Sequence, residues 1–266
     1  GEVDPRRFGP YANKVYTGRK NKEAFGHNFG IHYPGYEWPE ARPAKTMPCY
    51  DRLNAAGAVW GAVYGWEIPL WFAPEGCEAK DTWSYRTFNS MPHIGAECRA
   101  VRETAGLFEM TPMAKFEVSG PGAEVWLNRI LANRMPRKIG GIVLAHLLTH
   151  KGTIRCEFTV TRLGETSFYL VGTPRGERHD FDVLQKTLPA DGTVTLINVT
   201  AERGGLTLVG PKARDILQDL VDGDLGNDAF PWMSAQALTV GLASDVRMMR
   251  INYEGELGWE LYHPIA

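Results

Sequence analysis

The 266-residue sequence has no apolar run long enough to cross a bilayer. Its longest uncharged stretch, Ala229–Ser244, is broken by Pro231 and carries Ser and Gln, short of the ~20 apolar residues that a spanning helix needs. Neither sign of charge is in excess: 29 Lys+Arg stand against 31 Asp+Glu, a formal net charge of −2, with a pI of about 6.4. A dedicated DNA or RNA binder carries a basic surplus, and Arg6, Arg7, Arg19, Lys20 and Lys22 are too dispersed to form a patch. Nucleic acid and membrane are therefore not the expected partners. Cysteine is scarce, at 49, 77, 98 and 156 only, with no CxxC pair and no zinc-like Cys/His spacing. That excludes a disulfide scaffold and favours a reducing compartment. The dinucleotide fingerprint GxGxxG, the Walker loop and the GxSxG elbow are all missing. The sequence itself contains no charged-then-apolar leader, and it reads as a piece of a longer chain.

What is present is a globular composition, 44% apolar and 23% charged. Residues 1 to about 75 are rich in Pro and Trp, with Pro34, Pro39, Pro43, Pro48, Pro69 and Pro74 beside Trp38, Trp60, Trp66 and Trp71. Proline lacks a donor and restricts its predecessor, so this segment reads as irregular chain, with one short helix from Asn21 to about His32. From residue 76 the pattern is regular. Pro92–Leu107 is a helix candidate, and Lys115–Val118 is a strand followed by Gly120-Pro121 and a helix from Gly122 to about Leu131. The same phrase returns as strand Leu206–Val209, Gly210-Pro211 and helix Ala213–Leu220, proline at a helix start having its φ preset. Strand pairs follow each copy: Gly141–His150, Ile154–Leu163 and Ser167–Gly172 after the first, Ala235–Gly241 and Val246–Asn252 after the second. The expectation is an α+β fold of duplicated strand–GP–helix–strand–strand modules with mainly antiparallel sheets.

Two segments carry candidate chemistry. Arg155–Arg162 alternates, with Cys156, Phe158 and Val160 on one face and Arg155, Glu157, Thr159 and Thr161 on the other. The second face is either solvated or the floor of a pocket, and periodicity leaves both open. Tyr253–Tyr262 gathers three carboxylates, two tyrosines and a tryptophan around two glycines. Tyr253 and Glu260 have opposite parity, so only a turn near Gly255 or Gly258 lets them meet. His146 and His150 have helical metal spacing, but the surrounding Gly140, Gly141, Ile142 and Val143 argue for a strand. No metal is expected.

Asp4-Pro5-Arg6-Arg7-Phe8-Gly9, YDRLNAAGAV at 50–59 and YGWEIPLWFAP at 64–74 resemble the region behind the flavin domain of dimethylglycine and sarcosine dehydrogenases. AVRETAGLFEMTPMAKFEVSGPGA at 100–123, FTVTRLG at 158–164 and GELGWELYHP at 255–264 resemble the folate-binding part of those enzymes, shared with the glycine-cleavage aminomethyltransferase or T-protein. The resemblance divides the chain into residues 1–75, which follow a flavin domain, and residues 76–266, a folate-binding aminomethyltransferase-like region incomplete at its C-terminus. It implies that an N-methylated amine is oxidised at FAD held by a flavin oxidoreductase domain, absent here, of the same parent or a partner subunit. The resulting iminium or formaldehyde unit is then captured by tetrahydrofolate as 5,10-methylenetetrahydrofolate. The same resemblance implies a bacterial cytoplasmic or mitochondrial matrix location. Glu157 takes the place of the family's catalytic aspartate with one extra methylene, and Tyr253 and Glu260 are carried over as pterin-binding residues, with Thr159 beside Glu157. Two alternatives accompany this reading: a non-catalytic regulatory module, as in the phosphatase-regulatory relative on the same fold, and a methyltransferase giving 5-methyltetrahydrofolate. The fragment alone is expected to be inactive.

Overall fold

The structure is a computed structural model, and it describes residues 8–251 and 253–265. The Asp4–Arg7 part of the first resemblance phrase and Asn252, the expected end of a strand, lie outside the described residues. The chain divides into two compact units, residues 1–101 and 102–266.

In the first unit, helix α1 (Lys14–Gly26) starts well before the expected Asn21. Asn13 caps it, its side-chain oxygen accepting from the backbone N–H groups of Val15 and Tyr16 at 3.0 and 3.1 Å. The helix ends at Gly26, ahead of the expected His32. A short helix α2 (Tyr50–Ala55) leads into a hairpin of β1 (Ala58–Val63) and β2 (Trp66–Phe72), regular structure where irregular chain was expected. Tyr64 and Gly65 both have positive φ (48° and 84°), the two-residue turn geometry that matches strand twist. Pro69 sits within β2 at the edge of a two-stranded sheet, where a missing donor is tolerated. Val59, Trp71 and Ala73 form the buried cluster of this unit, covered by Ile94 of α3 (Met91–Glu103). Helix α3 stops short of the expected Leu107, because Gly106–Glu109 forms strand β3.

The second unit bears out the duplication. Strand β4 (Ala114–Ser119), helix α4 (Ala123–Ile130) and strands β5 (Ile142–Leu148), β6 (Ile154–Gly164) and β7 (Ser167–Gly172) make the first module. Helix α5 (Glu177–Lys186) and strand β8 (Thr195–Asn198) follow, neither of them anticipated. Strand β9 (Arg203–Val209), helix α6 (Ala213–Gln218) and strands β10 (Ala235–Val240), β11 (Ala243–Met249) and β12 (Gly258–Pro264) make the second. The two sheets have matching orders, β5-β6-β7-β4-β8 and β10-β11-β12-β9-β3, with every named pairing antiparallel. In each, a three-strand meander folds back so that its last strand pairs with the strand that opened the module. Gly120 and Gly210 have φ of 118° and 120°, so the repeated break needs glycine for its backbone, whereas Pro121 and Pro211 each lie one residue before the N-caps Gly122 and Lys212, in the turn that leads into the helix and not at its expected first position.

Helices α4 and α5 cover one face of the first sheet through Trp126, Leu127, Val183 and Leu184 on Phe116, Phe158 and Leu170. Helix α6 covers the second through Ala213 and Leu217 on Met248, Trp259 and Leu261. The uncovered faces meet each other. Ile142, Tyr169 and Val171 of the first sheet pack on Met249 and Tyr262 of the second, with Tyr169 and Tyr262 edge-on at 5.6 Å.

Candidate functional site

The layer between the sheets is where polar chemistry collects. Strand register assigns its lining, since residues directly opposite across a ladder share a face. On the first sheet the rows are Leu144 and His146 of β5, Glu157, Thr159 and Thr161 of β6, Val171 and Tyr169 of β7, and Lys115 and Glu117 of β4. On the second they are Arg247 and Met249 of β11, Glu260 and Tyr262 of β12, and Thr207 of β9. The alternation of β6 thus sends Cys156, Phe158 and Val160 to the helix-covered core, and the ambiguous polar face to this layer.

Depth varies along that face. Thr161 is fully buried and its hydroxyl lies 3.5 Å from the Met249 sulfur. Thr159 is half-buried, and Glu157 has a side chain 51% exposed. Glu157 is held by His146, opposite it on β5, with Nε2 and Oε2 at 2.5 Å. Lys115 is fully buried and donates to the Thr111 and Met113 carbonyls at 2.6 and 2.7 Å; burial brings its ammonium down to about 7.

Across the layer, the Tyr262 hydroxyl donates to Glu260 Oε2 at 2.8 Å. Burial pushes the Glu260 carboxyl up to about 7; the Tyr262 bond opposes this and Glu254 adds to it. Tyr262 is buried outright and its phenol is driven well above its ordinary value. Arg247 joins Glu117 at 2.6 Å while its guanidinium lies over the Tyr169 ring at 4.6 Å. Even so, Thr207 Oγ1, Tyr169 OH and Arg247 Nη1 are buried without a hydrogen-bond partner among the described residues. Buried polar atoms are normally satisfied, and three that are not lie on this one layer. A carboxyl and two hydroxyls can accept or donate at the edge of a flat nitrogen heterocycle.

Of the residues singled out from the sequence, Glu157 and Thr159 stand in one row and Glu260 on the facing sheet. Tyr253 is 97% exposed in the turn before β12, in which Gly255 has φ 84°, and it makes no contact with Glu260 among the described residues. The tyrosine against Glu260 is Tyr262, which shares its parity on β12; that was the available signal. Thr207 and Tyr169 emerge only from strand pairing, as does the partnership of His146, which the sequence offered only for its spacing from His150, with Glu157. No group of three or more metal-binding side chains occurs among the described residues.

Comparison with known proteins gives this architecture a place. The GCVT N-terminal domain profile matches residues 49–266. The chain belongs to the GCVT N-terminal domain family. Residues 1–46 match the FAD dependent oxidoreductase central domain. Over 264 residues this GCVT chain is 34% identical to human mitochondrial dimethylglycine dehydrogenase, covering 98% of the chain and 30% of that protein. It is 28% identical over 270 residues to the mouse mitochondrial pyruvate dehydrogenase phosphatase regulatory subunit, covering 99% and 31%. The glycine cleavage system aminomethyltransferase T of Bartonella henselae superposes with a TM-score of 0.67 at 30% identity, over 83% of this chain and 54% of that one. The chain is thus similar to dimethylglycine and sarcosine dehydrogenases and has the fold of the T-protein, and it spans about 30% of the length of the curated relatives it matches.

Proposed function

We propose that this GCVT region binds tetrahydrofolate and accepts the one-carbon unit released by a flavin-dependent dehydrogenase of an N-methylated amine, in a mitochondrial matrix or a bacterial cytoplasm. The observation that carries the reading is Glu260, a carboxyl raised to about 7 between two sheets beside the unpartnered Thr207 and Tyr169 hydroxyls. Glu260 accepts from the amino and N–H edge of the pterin, which supplies the counter-dipoles that its ionised form lacks in the ligand-free chain. Tyr262 holds the carboxyl in place, and Thr207 and Tyr169 take up the remaining polar groups of the ring. Tyr253, on the turn that precedes β12, closes over the ligand, and Thr159 lines the approach to Glu157. Bound tetrahydrofolate supplies the nucleophilic amines that take up the carbon, giving 5,10-methylenetetrahydrofolate. Glu157 is the proton acceptor of the transfer and its charge favours the cationic carbon species.

Isothermal titration of tetrahydrofolate into the intact protein tests the assignment. Binding lost in Glu260→Ala supports it; no binding to the wild type, or binding untouched by that variant, sinks it. Glu157→Gln is expected to release free formaldehyde during amine oxidation with tetrahydrofolate present, and product analysis separates a methylene from a methyl product. The likeness to the phosphatase regulatory subunit along nearly the whole chain supports a second reading, a regulatory module without catalysis. An intact protein that neither binds flavin nor oxidises methylated amines would favour it.

A further inference from the structure

The cross-strand pair His146–Glu157 has a role that neither residue type nor spacing announces. The β5–β6 ladder places them directly opposite, on the face turned to the second sheet, with Nε2 and Oε2 at 2.5 Å. A carboxylate can only accept, so this contact fixes the hydrogen of the neutral imidazole on Nε2 and leaves Nδ1 as its lone pair. Nδ1 makes no hydrogen bond among the described residues, and the His146 side chain is 28% exposed. A half-exposed glutamate has three rotatable bonds and sweeps a wide arc. The hydrogen bond removes that freedom by pinning one oxygen, and the other is left as the atom available to a reactant.

We propose that His146 is the positioning residue for Glu157 in one-carbon transfer, a role that rests on the folate reading above. Glu157 accepts a proton from the acceptor amine as its nitrogen bonds to the formaldehyde-level carbon. It returns that proton to the carbonyl oxygen, which becomes a hydroxyl and departs as water with the proton released by the second folate amine as that nitrogen bonds to the same carbon, so the step needs no oxidant or reductant. His146 keeps its own Nε2 hydrogen throughout and acts by holding Oε2.

In the intact protein, His146→Ala is expected to lower the transfer rate about tenfold, within the ~100-fold that misplacing a reacting group can cost. Tetrahydrofolate affinity stays at the wild-type value and free formaldehyde rises. His146→Gln, which can present an N–H at a similar reach, restores most of the rate. The double variant H146A/E157Q is expected to be no worse than E157Q, because the two act as one unit. Wild-type transfer in H146A, or additive losses in the double variant, would overturn the role. A second readout is independent of turnover. Nitrogen-15 spectra of labelled histidine should show the Nε2–H tautomer for His146, mixing with the other tautomer in E157Q. An Nδ1–H tautomer in the wild type refutes the pairing even if folate chemistry holds. A wild type that does not bind tetrahydrofolate overturns the functional reading and this role with it, whatever the tautomer.

Discussion

Replacing Glu260 by Gln separates the charge of this side chain from its shape. In the folded chain, burial raises the carboxyl from 4.5 to about 7. At about 1.4 kcal/mol per unit, the ionised form is roughly 3 kcal/mol less favourable folded than unfolded. The folded state holds the proton more tightly. Its contribution to stability is therefore fully present below pH 4.5 and is lost as the pH rises through about 7. Glutamine cannot ionise, and its amide oxygen can still accept from the Tyr262 hydroxyl. The unfolding free energy of wild type minus E260Q should thus fall by about 3 kcal/mol between about pH 4 and pH 8, with most of the change below pH 7. Urea unfolding of both proteins at unit pH steps measures it, and every other titrating group cancels in the difference. Saturating tetrahydrofolate should add stability to the wild type and much less to E260Q. A difference that stays flat within about 0.5 kcal/mol, less than the shift of half a pKa unit, would show that the carboxylate is well solvated and that the buried-site argument fails.

Three further outcomes are expected. Thr207→Val removes a buried hydroxyl that has no partner, so it should leave the ligand-free chain as stable or up to about 1 kcal/mol more stable while weakening tetrahydrofolate binding; a loss of stability would show a bond in the folded state. Gly120→Ala forces a side chain into φ 118° and against the Thr193 carbonyl, and should cost roughly 3 kcal/mol in urea unfolding, against little or nothing for a substitution at the open Gly18. Residues 1–75 alone should show no cooperative thermal transition, because they lose Ile94, which covers Trp71, and Glu97, which accepts from the Phe72 N–H at 2.9 Å; a sharp transition would contradict this.

The sequence alone specified the repeated module and the faces of its strands, but not every local element: the Asn13-capped start of α1 and the β1–β2 hairpin lay outside its expectations. The two Gly-Pro breaks announced the duplication because each sits where a strand turns into a helix, a turn whose φ near 120° favours glycine. The period of two on β6 separated the core face from the polar one, and shared parity on β12 carried Tyr262 alongside Glu260, though Tyr253 drew the attention instead. What alternation cannot supply is depth. Thr161 and Glu157 share a face, yet one is sealed beneath Met249 and the other is half exposed, because that is decided by where the second sheet lies. Nor can it supply register. A plain count back from Leu148 opposite Ile154 would set His146 against Cys156, but the shift between Leu147 and Leu148 moves the ladder by one and brings His146 to Glu157. The raised carboxyl of Glu260 has the same origin. Its charge is unfavourable chiefly because burial keeps water from it, with Glu254 adding to the effect, and that burial exists in the tertiary structure alone.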